Sequence, residues 1–195
     1  MRHGQAISNV KALCSCLPEK FKNPITKLGR QMAKESALKL KKMINQSTQR
    51  AECSAPNFLV FNSPLLRCKQ TAEIVGKIFG IKPKIDKRLQ EIGFGIFNNK
   101  RLEGMWMYFK KEEERIKQAP PGGETYEQIL KRIWAVVEDI EKKYSNKTIL
   151  LISHEGPSFL LQGKFMGLSI PGTIKKFPSS KRIHKAEIRK LYPVK

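Results

Sequence analysis

The chain has 195 residues, 40% of them hydrophobic and 28% charged, with a formal net charge of +21. That length suits one domain with a substantial core, and the composition is that of a soluble globular protein, which excludes disordered and fibrous classes. No apolar run approaches the roughly 20 residues of a membrane span, so a cytoplasmic location follows by default.

Residues 9–24 read as a loop. Thr26 then caps an amphipathic helix that runs to about Ile44. Residues 46–56 are polar and loop-like. Phe-Leu-Val-Phe at the centre of 57–62 is a short buried strand. Ser63-Pro64 opens a helix through Ala72, Ile74, Val75 and Ile78 that stops at Gly80. A second short strand follows at 82–85, and 98–121 forms a charged, helical, cap-like insertion. Ile129, Ile133, Val136, Val137 and Ile140 give 125–144 a clear helical period. The strongest strand pattern is 148–152. A helix over 157–166 and a weaker last strand over 186–191 complete the series. Strands alternating with helices imply one α/β domain over 1–195, a three-layer α/β/α sandwich around a mostly parallel sheet.

Five motifs fall in a fixed order along this frame. They are Arg2-His3-Gly4, Asn9, Ser63-Pro64-Leu65-Leu66-Arg67, Arg88-Leu89-Gln90-Glu91, and Ser153-His154-Glu155-Gly156. Together they resemble the histidine phosphatase superfamily, whose fold is that of phosphoglycerate mutase. The resemblance implies that His3 is a nucleophile that carries a transient phosphohistidine. It implies that Arg2, Arg67, Gly4 and Asn9 bind the phosphoryl group, that His154 adds a hydrogen bond, and that Glu91 is the general acid and base. Gln5 and Glu124 are further candidates, for substrate contacts. The chemistry agrees: neutral imidazole is a good nucleophile near pH 7, and guanidinium groups grip phosphoryl oxygens bidentately. No cofactor and no metal are implied, since three histidines without a carboxylate cluster make a poor ligand set.

The sequence departs from the family in three places. Ala6 replaces a hydroxyl residue, Asn99 stands where many members have glycine, and only Met1 precedes Arg2, so the first strand of the sheet is expected to be missing. A start lying upstream would explain that. The stretch from Glu114 to Pro121 has a single arginine, Arg115, where the bisphosphoglycerate-dependent mutases carry a pair. The reading is therefore a phosphatase for a small phosphorylated metabolite, with the mutase as alternative. A second alternative is a basic nucleic-acid-associated protein on the same fold. Lysines and arginines crowd near Lys39, Lys41 and Lys42 and from Lys175 onward. They give non-specific nucleic-acid contact or, in the absence of interleaved aromatics, simply solvated faces. Cys14, Cys16, Cys53 and Cys68 lack zinc-site spacing and read as reduced thiols. Trp106 and Trp134 read as packing residues, and His184 as a surface residue.

Overall fold

The computed structural model describes residues 1–47 and 57–191. Beyond Ser47, the loop read at 46–56 lies outside the described residues, as does Cys53. The elements in chain order are α1 (Ile7–Val10), α2 (Lys27–Ser47), β1 (Phe58–Asn62), α3 (Leu66–Phe79), β2 (Lys84–Ile85), α4 (Leu102–Met107), α5 (Tyr126–Lys143), β3 (Thr148–Ile152), α6 (Glu155–Phe165) and α7 (Ile170–Lys176).

The three strands are parallel in the order β2-β1-β3, with Phe58 opposite Thr148 and Asn62 opposite Ile152. Period-two alternation sends each strand's side chains to two faces. Phe58, Val60, Leu150 and Ile152 pack with Ala33 and Ala37 of α2 and with Cys68, Ala72 and Val75 of α3. On the other face Phe61, Ile149 and Leu151 meet Leu89 and, from α5, Val136 and Ile140. Each fully buried side chain of this size contributes about 1.5–3 kcal/mol, so the two faces make the three-layer sandwich the stable solution. The insertion supplies α4 and a 3₁₀ turn at Glu112–Ile116, and its Met105 and Phe109 join the core around Tyr126, Ile129 and Phe159.

Local signals explain the element boundaries. Thr125 Oγ1 accepts from Gln128 N at 3.2 Å while Gln128 Oε1 accepts from Thr125 N at 2.8 Å, a capping box at the start of α5. Thr26 Oγ1 likewise accepts from Gly29 N at 3.0 Å. Gly80 ends α3 with φ +67°. Two helices were not expected. α1 interrupts the loop because Asn9 Oδ1 takes the Ala6 amide at 2.9 Å. α7 is capped by Ser169, whose hydroxyl accepts from Gly172 N at 3.2 Å.

At the sheet's far edge the first strand is missing as expected, since among the described residues only an isolated bridge, Arg2 opposite Ser153, stands beside the end of β3, and one other expectation needs correction. Met1 to His3 already run along β3: the Met1 amine donates to Leu151 O (2.7 Å), Ser153 N to Met1 O (3.0 Å) and His3 N to Ser153 O (3.1 Å). Three residues thus do the hydrogen bonding of the strand expected to be missing, at the end where it matters for His3. The stretch 186–191 is no strand, because Ala186 sits at φ +59° and Glu187 N turns back to His184 O. It still closes the edge, with Ala186 N donating to His3 O at 3.0 Å and Arg2 N to Glu187 O at 3.1 Å.

Candidate active site

The site lies at the carboxyl ends of β1 and β3, where the chain leaves the sheet and enters α3 and α6. His3 is buried, and its Nδ1 lies 2.7 Å from its neighbour's carbonyl, Gly4 O. A carbonyl can only accept, so Nδ1 carries the proton and Nε2 keeps its lone pair. Arg67 Nε donates to that lone pair at 3.1 Å. Burial first, then the charges of Arg67 and Arg2, hold the His3 pKa well below 6.5, so the ring is neutral at pH 7.

Arg67 stands in the first turn of α3 with its guanidinium spread across the site. NH1 donates to Ser15 Oγ (3.2 Å), and NH2 reaches Ser15 O (2.8 Å) and His154 Nδ1 (3.1 Å). Glu19 Oε1 lies 3.6 Å from NH1. His154 is fully buried, 5.1 Å from His3 between ring centroids, and its Nε2 is 2.8 Å from Ser63 Oγ. Burial and Arg67 lower its pKa too, so His154 is a neutral ring rather than an imidazolium.

Glu91 Oε2 faces His154 Nδ1 at 3.7 Å, and Oε1 accepts from Ile92 N at 3.0 Å. Burial raises its carboxyl pKa above 4.5 despite the pull of Arg67. The loop that carries it is held by Arg132 of α5, which donates to the carbonyls of Arg88 (2.6 Å), Gln90 (2.9 Å) and Glu91 (3.0 Å).

His3, Ser15, Arg67 and Glu91 line a cleft together with Arg2, Asn9, Glu155, Arg182 and, from the cap, Leu102, Met105, Trp106 and Arg115. Arg2 NH1 donates to Glu155 Oε2 at 2.6 Å and to Ile183 O at 3.0 Å. Arg182 lies over the Phe159 ring at 4.1 Å and is paired with Glu112. Arg115 is different. Its Nε is buried without a hydrogen-bond partner among the described residues, and Tyr126, Trp106 and Phe109 surround its guanidinium at 4.6, 5.2 and 5.8 Å.

A sequence profile of the histidine phosphatase superfamily (branch 1) matches residues 1–181. The chain belongs to that superfamily. It is 25% identical over 114 residues to a probable phosphoglycerate mutase of Photorhabdus laumondii, covering 56% of this chain and 53% of that protein. It is 30% identical over 149 residues to a phosphoglycerate mutase-like protein of Arabidopsis thaliana, covering 72% and 51%. The chain thus spans about half the length of these relatives. The fold matches a mycobacterial glucosyl-3-phosphoglycerate phosphatase solved with VO3, at TM-score 0.75 and 21% identity over 95% of this chain and 87% of that one.

Set against the superfamily motifs, His3, Arg2, Arg67, Glu91 and Asn9 line one cleft, and His154 is buried behind it against Arg67 and His3. Three further candidates do not line it. Gly4 spends its amide on Thr71 Oγ1 at 3.1 Å and packs its bare Cα against the Gly29 backbone of α2, where any Cβ would collide. Gln5 turns away, its Oε1 accepting from Thr26 Oγ1 at 2.8 Å. Glu124 is a brace, receiving Arg132 Nε at 2.7 Å and Gly93 N at 2.7 Å. Sequence reasoning missed Ser15, Arg132, Glu155 and Arg182. Of these only Glu155, inside the His154 motif, carried a local signal. Trp134 packs on Phe165, while Trp106 is half-exposed at the cleft's rim. His184 is exposed. Among the described residues no helix is long and apolar enough to cross a membrane.

Proposed function

We propose that the protein is a phosphomonoesterase that works without metal, through a phosphohistidine on His3, on a small phosphorylated metabolite. The observation that carries this reading is the tautomer of His3: the proton is fixed on Nδ1 by Gly4 O, and the Nε2 lone pair faces Arg67. In the reaction Nε2 attacks phosphorus, the P–O bond breaks, and protonated Glu91 gives its proton to the leaving oxygen. The resulting carboxylate then takes a proton from a water, whose oxygen attacks phosphorus; the P–N bond breaks, its electron pair returns to His3 Nε2, and phosphate is released. Arg67 and Arg2 bind the equatorial oxygens, where charge is spread in the transition state. Arg67 NH2 can only donate, so His154 Nδ1 accepts and Nε2–H donates to Ser63 Oγ; because Ser63 can also donate, the opposite tautomer, with Nδ1–H free for a phosphoryl oxygen, opens once Arg67 turns to the substrate.

Arg115 supports a leaving group that carries a second anionic group, because its Nε is buried without a hydrogen-bond partner among the described residues, and such a donor is costly until an acceptor arrives. A mutase would use the same cleft and pass the phosphoryl group to a second hydroxy-acid instead of water. The test is hydrolysis of p-nitrophenyl phosphate in excess chelator by the parent and by His3→Ala. Turnover that disappears in His3→Ala, with a labelled phosphohistidine trapped in the parent, is expected. Turnover retained in His3→Ala overturns the reading. A strict need for a bisphosphate primer assigns the chain to the mutases.

A further inference from the structure

We infer that Glu155 is a positioning residue for phosphoryl binding, acting through Arg2. The inference rests on the phosphoryl site proposed above and adds to it a residue that need not touch the substrate. Glu155 opens α6 directly after His154 and lines the cleft. Its Oε2 takes the NH1 corner of Arg2 at 2.6 Å, and Ile183 O takes the same corner at 3.0 Å. Two acceptors on one nitrogen leave the guanidinium little freedom to rotate. The Nε of Arg2 remains buried with no partner among the described residues. NH1 is therefore spent on Glu155 and Ile183, and Nε, which belongs to an edge that suits bidentate capture of two oxygens, has no protein partner among the described residues to compete with an anion.

Glu155 is itself braced. Arg182 NH1 approaches its Oε1 at 3.9 Å, and Arg182 is fixed by Phe177 O (3.2 Å), by Glu112 and by the face of Phe159. Glu112 Oε1 in turn accepts from Tyr126 OH at 2.7 Å. Charges alternate along Arg2, Glu155, Arg182 and Glu112, and like charges sit apart. Without the carboxylate between them, Arg2 and Arg182 would repel each other in a site of low dielectric. The charge of Arg2 contributes to the pKa shifts of His3, His154 and Glu91, so a displaced guanidinium would disturb all three.

The position needs an acceptor with the reach of a glutamate, and its negative charge also screens Arg2 from Arg182. This separates the two informative variants. Orthophosphate binding to the full chain, measured by calorimetry, reports the site without turnover. Glu155→Ala is expected to weaken orthophosphate about tenfold or more, the size of a charge-assisted hydrogen bond. Glu155→Gln keeps an acceptor oxygen for NH1 but not the charge, and is expected to fall between the parent and Glu155→Ala, about threefold weaker than the parent. In an Arg2→Ala background, Glu155→Ala is expected to add nothing, since there is no guanidinium left to aim. Parent-like binding by Glu155→Ala overturns the inference, as does a Glu155→Gln as weak as Glu155→Ala, or full additivity with Arg2→Ala. A parent that binds no orthophosphate overturns the phosphoryl site itself, and the inference with it. Tight orthophosphate binding without any esterase activity overturns the proposed function and leaves Glu155 to be judged by the same three comparisons.

Discussion

The floor and the roof of the cleft are built on opposite plans. On the floor, His3, Arg67 and His154 hold one another, with Ser15, Ser63 and the Gly4 carbonyl filling the remaining valences. In the roof, Arg115 is ringed by aromatic side chains, and its Nε has no partner among the described residues. Nearby Met107 and Trp106 expose apolar surface. On the function proposed above, the saturated floor is preorganised for handling a phosphoryl group, whatever it is attached to, and the unsaturated roof is fitted by the leaving group. On that reading chemistry and selectivity reside in different residues and should fail separately.

The largest effects belong to the floor. Arg67→Lys cannot reproduce the fork that spans His3, Ser15 and His154, and kcat/KM should fall about 10²–10³-fold for every substrate. A loss confined to some substrates would break the distinction between floor and roof. Glu91→Gln should lower kcat by about 10²-fold or more and change the pH profile. Activity requires neutral His3, so the acid limb lies below 6.5, and protonated Glu91, so the alkaline limb lies above 4.5. Glu91→Gln should erase the alkaline limb and keep the acid one. Arg132→Met releases the carbonyls under Glu91 and should reduce kcat by up to about 10²-fold with KM little changed, as misplacement of a catalytic group does.

Roof effects should be smaller and selective. Arg115→Met should leave p-nitrophenyl phosphate turnover within about twofold and cost about tenfold in KM for phosphoesters with an added carboxylate or phosphate, one charge-assisted contact. Equal losses on both substrate types would show that Arg115 serves the floor. Far from both, Thr125→Ala should lower stability by about 1 kcal/mol through loss of the α5 cap, with activity unchanged in the folded fraction; a denaturant titration followed by assay checks both.

What the sequence revealed and what it hid follow from range. α5 was legible because its apolar period and its capping box agree, and β3 because five consecutive residues alternate between two cores. The proposed catalytic set was legible as ordered motifs. Gln5 and Glu124 lie beside those motifs in sequence, but Thr26 and Arg132 draw their side chains elsewhere. Contacts of that kind have no local signature. The pair of Arg2 and Glu155 joins residues 153 positions apart, and nothing in either neighbourhood announces it. α1 and α7, with four and seven residues, are too short to show a helical period.

The contact between Gly4 and Gly29 has a mechanical consequence. Backbone lies directly on backbone there, with no side chain that could change rotamer to absorb movement. The backbone next to His3, the proposed nucleophile, is therefore registered to α2. Mild heating or low denaturant that loosens α2 should shift His3 off its line of attack while the sheet still holds. Loss of activity should then precede loss of the far-ultraviolet signal, and amide exchange along α2 should track inactivation rather than unfolding.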